Sequence, residues 1–216
     1  MKKIHYCGSA FIFIAFHIAM GQVEVPLVNG SFEGTPTMGT YPNGLKLTIA
    51  GWQNWSPFEL KSPPDIHGAH TNYWNVQRFP FHGETYVGLV IREDETWECI
   101  AQSLQEPLEE GGHYSILMYT CRDSMYKSRL TPTGEILNFS NPAQIRIWGS
   151  EHVKEFGELL AESGTVEHTK WQKQTFDLFP SKTYKYIILQ AYYPSEDELA
   201  MNGHVLIDNA KLWKYE

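Results

Sequence analysis

The chain is 216 residues long, with 17 Lys and Arg against 25 Asp and Glu, a formal net charge of −8 and 14% aromatic residues. An acidic chain lacks the extended basic face that releases counterions, which disfavours nucleic acid or an anionic membrane as partner. The length suits one domain with one core, and no metal or disulfide is needed for it to fold.

Residues 1–21 read as a removable leader: Lys2 and Lys3 form a basic start, Ile4 to Ala19 is mostly apolar, and Ala19-Met20-Gly21 offers small residues at the cleavage spacing. The mature domain is then 22–216, exported to the periplasm, the cell surface or the medium. Cys7 leaves with the leader and lacks the small-residue context of a lipidated cysteine. No later segment approaches the roughly 18 apolar residues that span a bilayer, so no transmembrane segment is expected after cleavage.

Beyond the leader, alternating polar and apolar residues with β-branched or aromatic runs predict strands. They fall at Val23–Val28, Leu45–Ala50, Thr85–Ile91, Thr96–Leu104, Tyr114–Cys121, Ala143–Gly149, Trp171–Phe179, Lys185–Tyr193 and His204–Trp213. So many strands in one open sheet would leave an apolar face wet. The expected fold class is therefore all-β, a two-sheet antiparallel sandwich. Phe156–Ser163 reads as a helical turn, and Ser56–Gly83 as a long, Pro-punctuated functional loop. Thr96–Leu104 and Tyr114–Cys121 flank a connection centred near Glu110, so symmetric hairpin pairing would set Cys99 opposite Cys121 and allow a disulfide in an oxidising compartment. Two buried free thiols are the alternative.

An ordered series of motifs then appears: Leu27-Val-Asn-Gly-Ser-Phe-Glu33, Gly51-Trp52, His82-Gly-Glu-Thr-Tyr-Val-Gly-Leu89, Ala101-Gln-Ser-Leu-Gln-Glu-Pro-Leu108 with Gly112-His-Tyr114, and Gly203-His-Val-Leu-Ile-Asp-Asn-Ala-Lys-Leu212. The series resembles the galactose-binding-like jelly roll of many carbohydrate-binding modules, including stand-alone exported versions in Bacteroidota. The resemblance implies a jelly-roll sandwich and a structural calcium ion between the opening segment and the last strand. Glu33 and Asp208 are its candidate side-chain ligands, with Asn29 and Gly51 as weaker candidates. Two carboxylates near an apolar strand resist burial unless a cation or hydrogen bonds compensate. Alternatively, Asp208 only accepts backbone hydrogen bonds and ties down a loop.

Sugar recognition needs flat aromatic faces together with polar groups that orient hydroxyls. Trp55, Phe58, Tyr73, Trp74, Phe79 and Phe81 crowd the long loop with Arg78, while Trp97, Tyr119, Trp148, Arg146, Gln190 and Tyr192 lie on strands. The expected ligand-binding residues are Trp74, Tyr73, Arg78, Trp97, Trp148 and Tyr192, weighed against burial in the core. His67, His70 and His82 form only a loose metal-like cluster, and Glu93, Asp94, Glu95 and Glu98 read as a solvated turn. The usual nucleophile elbow, phosphate loop and zincin motifs are all missing. The expectation is a non-catalytic, exported glycan-binding protein. A cell-envelope or surface domain that binds a protein is the alternative.

Overall fold

The computed structural model describes residues 21–39, 47, 49–56, 63–129, 133–195, 197 and 201–216. The leader reading of residues 1–20, most of the run from Leu45 to Thr48, and Phe58 lie outside the described residues. In chain order the strands are β1 (Gln22–Val25), β2 (Trp52–Asn54), β3 (Asp65–Gly68), β4 (Thr85–Ile91), β5 (Cys99–Leu108), β6 (His113–Cys121) and β7 (Lys127–Arg129). They continue with β8 (Ile136–Asn138), β9 (Asn141–Pro142), β10 (Gln144–Ser150), β11 (Glu158–Glu162), β12 (Gln172–Leu178), β13 (Tyr184–Tyr192) and β14 (Gly203–Tyr215).

A seven-stranded sheet runs β12-β6-β14-β4-β3, with β1 and β9 also paired to the long β14. Facing it is a five-stranded sheet, β11-β10-β13-β5-β2, and β7 and β8 form a separate ribbon. The expected all-β sandwich stands, and its first and last strands lie side by side, Val25 opposite Leu212.

Alternation explains where the core sits. Ile145 and Ile147 of β10, Ile187, Leu189 and Ala191 of β13, and Ile100 and Leu104 of β5 point inward from the five-stranded sheet. Val87, Leu89 and Ile91 of β4, Ile116 and Met118 of β6, and Val205 and Ile207 of β14 meet them from the other. The intervening residues necessarily face outward, because the side-chain period of a strand is two.

Two expectations are corrected. The hairpin of β5 with β6 does not form: β5 pairs with β13 and β2, whereas β6 pairs with β12 and β14 in the opposite sheet. Leu104 and Leu108 of β5 and Tyr114 and Ile116 of β6 are all core residues, so the connection crosses the core instead of folding back along one sheet. Cys99 opposes Gln190 and Cys121 opposes Leu206, on opposite outer faces of the sandwich, and both thiols are free and buried. No cross-strand disulfide can join them. Second, 158–162 is an edge strand against β10, not a helical turn. A helix of about two turns is marginal in water, and here the edge of β10 supplies partners for its backbone groups.

The supposed long loop also carries structure. It contains β3 and a short 3-10 turn, Tyr73–Asn75, entered through left-handed Asn72. Before this loop, Leu47 and Ile49 are buried in the core, but the strand beside them is Trp52–Asn54.

Candidate functional site

On the outer face of the five-stranded sheet, β10 presents Arg146 and Trp148, β13 presents Tyr186, Ile188, Gln190 and Tyr192, and β5 presents Cys99 and Ala101. Register places Arg146 opposite Gln190 and Trp148 opposite Ile188. The floor is sealed: Trp55, Cys99, Ala101 and Ile188 form a buried apolar cluster, with Trp148, Phe156 and Tyr186 packed partly exposed against it.

Above this floor the polar groups are held in place. Gln190, almost wholly buried, accepts a hydrogen bond from the Trp148 indole N–H at 2.7 Å, which fixes that ring's orientation. The Arg146 guanidinium lies 3.6 Å from the centre of the Tyr192 ring, and its Nε donates to Glu162 at 3.2 Å. Tyr192 therefore serves as a pedestal for a cation, and that face of its ring is covered. Trp97 meets Tyr192 edge-on at 5.6 Å. The surface thus combines a fixed indole with a fixed planar donor fork, the pairing that sugar recognition requires.

Of the six residues expected to bind ligand, Trp148 and Tyr192 share this outer face and Trp97 touches Tyr192, while Trp97 and Tyr192 also pack against the main core. Tyr73, Trp74 and Arg78 lie on the far side of the molecule, above the seven-stranded sheet. There the segment around β7 and β8 covers the outward residues of β4 and β14, making a second core of Val76, Tyr86, Val90, Cys121, Tyr126, Phe139 and Leu206. Trp74 packs against this core, and its indole N–H donates to Asp65 Oδ1 at 2.9 Å. Its polar edge is used inside the fold. Arg78 accepts the Tyr86 hydroxyl proton on its carbonyl at 2.7 Å.

Beneath the cover lies a buried polar chain that the sequence did not announce. Asp65 accepts from the Tyr126 hydroxyl, the Gly39 amide and Trp74, and the Tyr126 oxygen lies 3.4 Å from His67 Nε2. Nearby, Arg92 and Glu98 form an ion pair with both side chains about 1% exposed, so Glu98 is not part of the solvated turn formed by Glu93, Asp94 and Glu95. Burial raises the carboxyls of Asp65 and Glu98 and lowers the imidazoles of His67, to about 3, and His204, to about 4. His67 is enclosed between Tyr86 and Tyr126 while His70 and His82 are exposed, and among the described residues no group of three or more His, Cys, Asp and Glu could hold a metal.

The acid pair at the chain ends is a separate arrangement. Asp208 is fully buried, and its Oδ2 accepts from the amides of Phe81 at 2.7 Å and His82 at 2.9 Å, while Oδ1 accepts from Asn209. It therefore ties down the 81–82 loop. Burial, with Glu33 adding repulsion, pushes its carboxyl up to about 7. Glu33 Oε2 accepts from the Glu84 amide at 3.0 Å, but Oε1 is buried with no hydrogen-bond partner. Gly83, at φ 65°, lies against it, and a Cβ there would come within 1.7 Å of that oxygen and displace it. Asn29 spends its side chain on the backbone of Glu33: its amide donates to the Glu33 carbonyl at 2.7 Å and its Oδ1 accepts from the Glu33 amide at 2.9 Å. An orphaned buried carboxylate oxygen beside a second repelled carboxyl suits a hard cation.

The strand order and the two facing sheets define an antiparallel β-sandwich of the jelly-roll type. No protein-family model matches the chain, and no curated protein matches it. Solved structures do. The chain is similar to the Stig cyclase Fisc from Fischerella sp. TAU, with 13% identity, a TM-score of 0.54 and coverage of 90% of this chain and 98% of that one. It is also similar to the MgGH51 α-L-arabinofuranosidase, with 12% identity, a TM-score of 0.52 and coverage of 88% of this chain but only 26% of that one. A looser likeness, with a TM-score of 0.46 and 12% identity, joins it to the CBM22-1 xylan-binding domain of Paenibacillus barcinonensis Xyn10C over 85% of this chain and 98% of that one. At such identities the likeness to the first two shows the fold alone, and function must be argued from the surface.

Proposed function

We propose that this chain is a non-catalytic glycan-binding protein whose site is the outer face of the five-stranded sheet. One observation carries the reading: Trp148 and Arg146 are both partly exposed and both held in fixed orientation, by Gln190 and by Tyr192 with Glu162. The Trp148 ring would supply a stacking face for the C–H side of a pyranose, and the Arg146 fork would orient hydroxyls. A shallow surface leaves much of a sugar hydrated, so affinity of about −4 to −8 kcal/mol is expected. The test is a panel of polysaccharides screened for a shift in melting temperature, repeated with Trp148→Ala. A shift that the substitution abolishes supports the reading; no shift with any polymer, together with a co-purifying protein, supports the surface-interaction alternative.

A structural calcium ion held by Glu33 and Asp208 belongs to the same proposal. The unpartnered Glu33 oxygen and the raised Asp208 carboxyl support it. The ion would supply a charge that compensates the buried Asp208 carboxylate and the unpartnered Glu33 oxygen, and would fasten the opening segment to β14. Export rests on the leader-like residues 1–21. It is tested by the N-terminal sequence of the mature protein.

A further inference from the structure

The open half of the seven-stranded sheet's outer face is the second place where this molecule displays aromatic rings. Beyond the cover, β6 turns Tyr119, Leu117 and Ser115 outward, and β14 turns out Lys211, Trp213 and Tyr215. Lys211 and Trp213 owe their aim to a bulge at Asp208–Lys211, where Asn209 takes a left-handed conformation at φ 49°. A bulge of this kind re-aims the side chains that follow it.

The result is an open hollow of about 410 Å³, lined by Tyr119, Trp213 and Tyr215 with Lys173, Lys211 and Thr175 among the rings. Phe81 extends the aromatic surface by stacking on Tyr119 at 3.5 Å, and it remains 42% exposed. A second hollow, of about 270 Å³, adjoins it and shares Asn209 and Lys211. Lys211 therefore stands between two open depressions.

The charge here runs against that of the whole chain. Lys173 and Lys211 are exposed, and among the described residues neither enters an ion pair. Of the carboxylates on the same face, Asp177 is engaged by His113 at 3.0 Å at the far end, whereas Glu24 lies opposite Trp213 and lines the second hollow with Lys211. Across the two hollows Lys173 and Lys211 outnumber Glu24, and screening beyond about 8 Å at physiological salt mutes the rest of the acidic body. Rings interleaved with hydroxyl, amide and ammonium groups suit a sugar better than an apolar protein anchor, which would bury aliphatic side chains in a drier centre.

We infer that the outer face of β12, β6 and β14 is a second glycan-binding surface, selective for a pyranose that carries an anionic group, carboxylate or sulfate, with Trp213 and Tyr119 stacking and Lys173 and Lys211 pairing with the charge. It is distinct from the Trp148 face and rests partly on the glycan-binding reading above. The probes are three sets of oligosaccharides, neutral, uronate-bearing and sulfated, titrated calorimetrically against the full chain and against two variants, Lys173→Gln/Lys211→Gln and Trp148→Ala. The expected result is preferential binding of an acidic set. The lysine variant should weaken it about tenfold and flatten its salt dependence, with the melting temperature unchanged, whereas Trp148→Ala leaves it intact. Whether the uronate or the sulfated set binds assigns the anion. The inference is overturned if neither acidic set binds better than the neutral one, or if acidic binding survives in the lysine variant. Loss of neutral-glycan binding in Trp148→Ala reports on the other face alone, so the two readings fail separately.

Discussion

The two sheets send the same kind of residue outward, and the two faces end differently. Over β4 and the early part of β14 a covering segment closes on Tyr86, Val90 and Leu206 and turns them into a second core, with Asp65, Arg92 and Glu98 sealed among them. On the five-stranded sheet Trp55, Cys99, Ala101, Ile188 and Gln190 are sealed, and Trp148, Tyr186, Phe156 and Tyr192 stay partly open. Aromatic content therefore says little about function. What separates a recognition surface from a core is whether a later segment of the chain arrives to cover it. Trp74 and Trp148 illustrate the point, since each spends its indole N–H on a side-chain oxygen, Asp65 in one case and Gln190 in the other, yet only the latter stands on an uncovered sheet.

The comparison can be broken most forcefully at Glu98. Glu98→Ala strands the buried Arg92 guanidinium without its carboxylate, and the expected loss is about 3–5 kcal/mol of stability by denaturant titration, with glycan binding by the surviving folded fraction unchanged. A loss below about 1 kcal/mol would mean that the covered face is looser than its burial implies.

Calcium and pH sharpen the contrast at the chain ends. The Asp208 carboxyl is raised from 3.8 to about 7, so the stability linked to it is fully present below pH 3.8 and is lost as pH rises through about 7. A cation binds the ionised form. Calcium should therefore stabilise by about 2.7 kcal/mol at a hundredfold excess over its dissociation constant, more at about pH 8 than at about pH 5, and Asp208→Asn should remove most of the effect. Equal melting temperatures in chelator and in calcium at both pH values would discard the ion.

Smaller effects separate the two indoles. Trp148→Ala should reduce affinity for the selected neutral glycan at least tenfold, about 1.4 kcal/mol, while shifting the melting temperature little. Trp74→Phe should do the reverse: loss of the hydrogen bond to Asp65 costs about 1 kcal/mol of stability and leaves binding unchanged. Reduced glycan binding in Trp74→Phe would return the long loop to the recognition surface.

Much of this was legible because a strand's side-chain period is local. Thr85–Ile91 appears with the bounds that its apolar, β-branched run predicts, and strand parity puts Arg146 with Trp148 and Gln190 with Tyr192 on one face. The resemblance also implied that the opening segment and the last strand lie close together, and β1 and β14 do pair. Local pattern could not reveal that Tyr192 is a pedestal for Arg146 or that Asp65 gathers Tyr126, Trp74 and Gly39, because those contacts join residues far apart in the chain.

The amino-acid sequence by itself determined that the chain forms alternating strands, that they must pack as two layers, and which residues share a parity. Period and polarity act over a few residues and need no partner. Tertiary structure alone decided that the strands on either side of Glu110 belong to opposite sheets, which parts Cys99 from Cys121, and which outer face is covered. Both outcomes depend on where distant segments return, and that is set by the best burial of the whole chain.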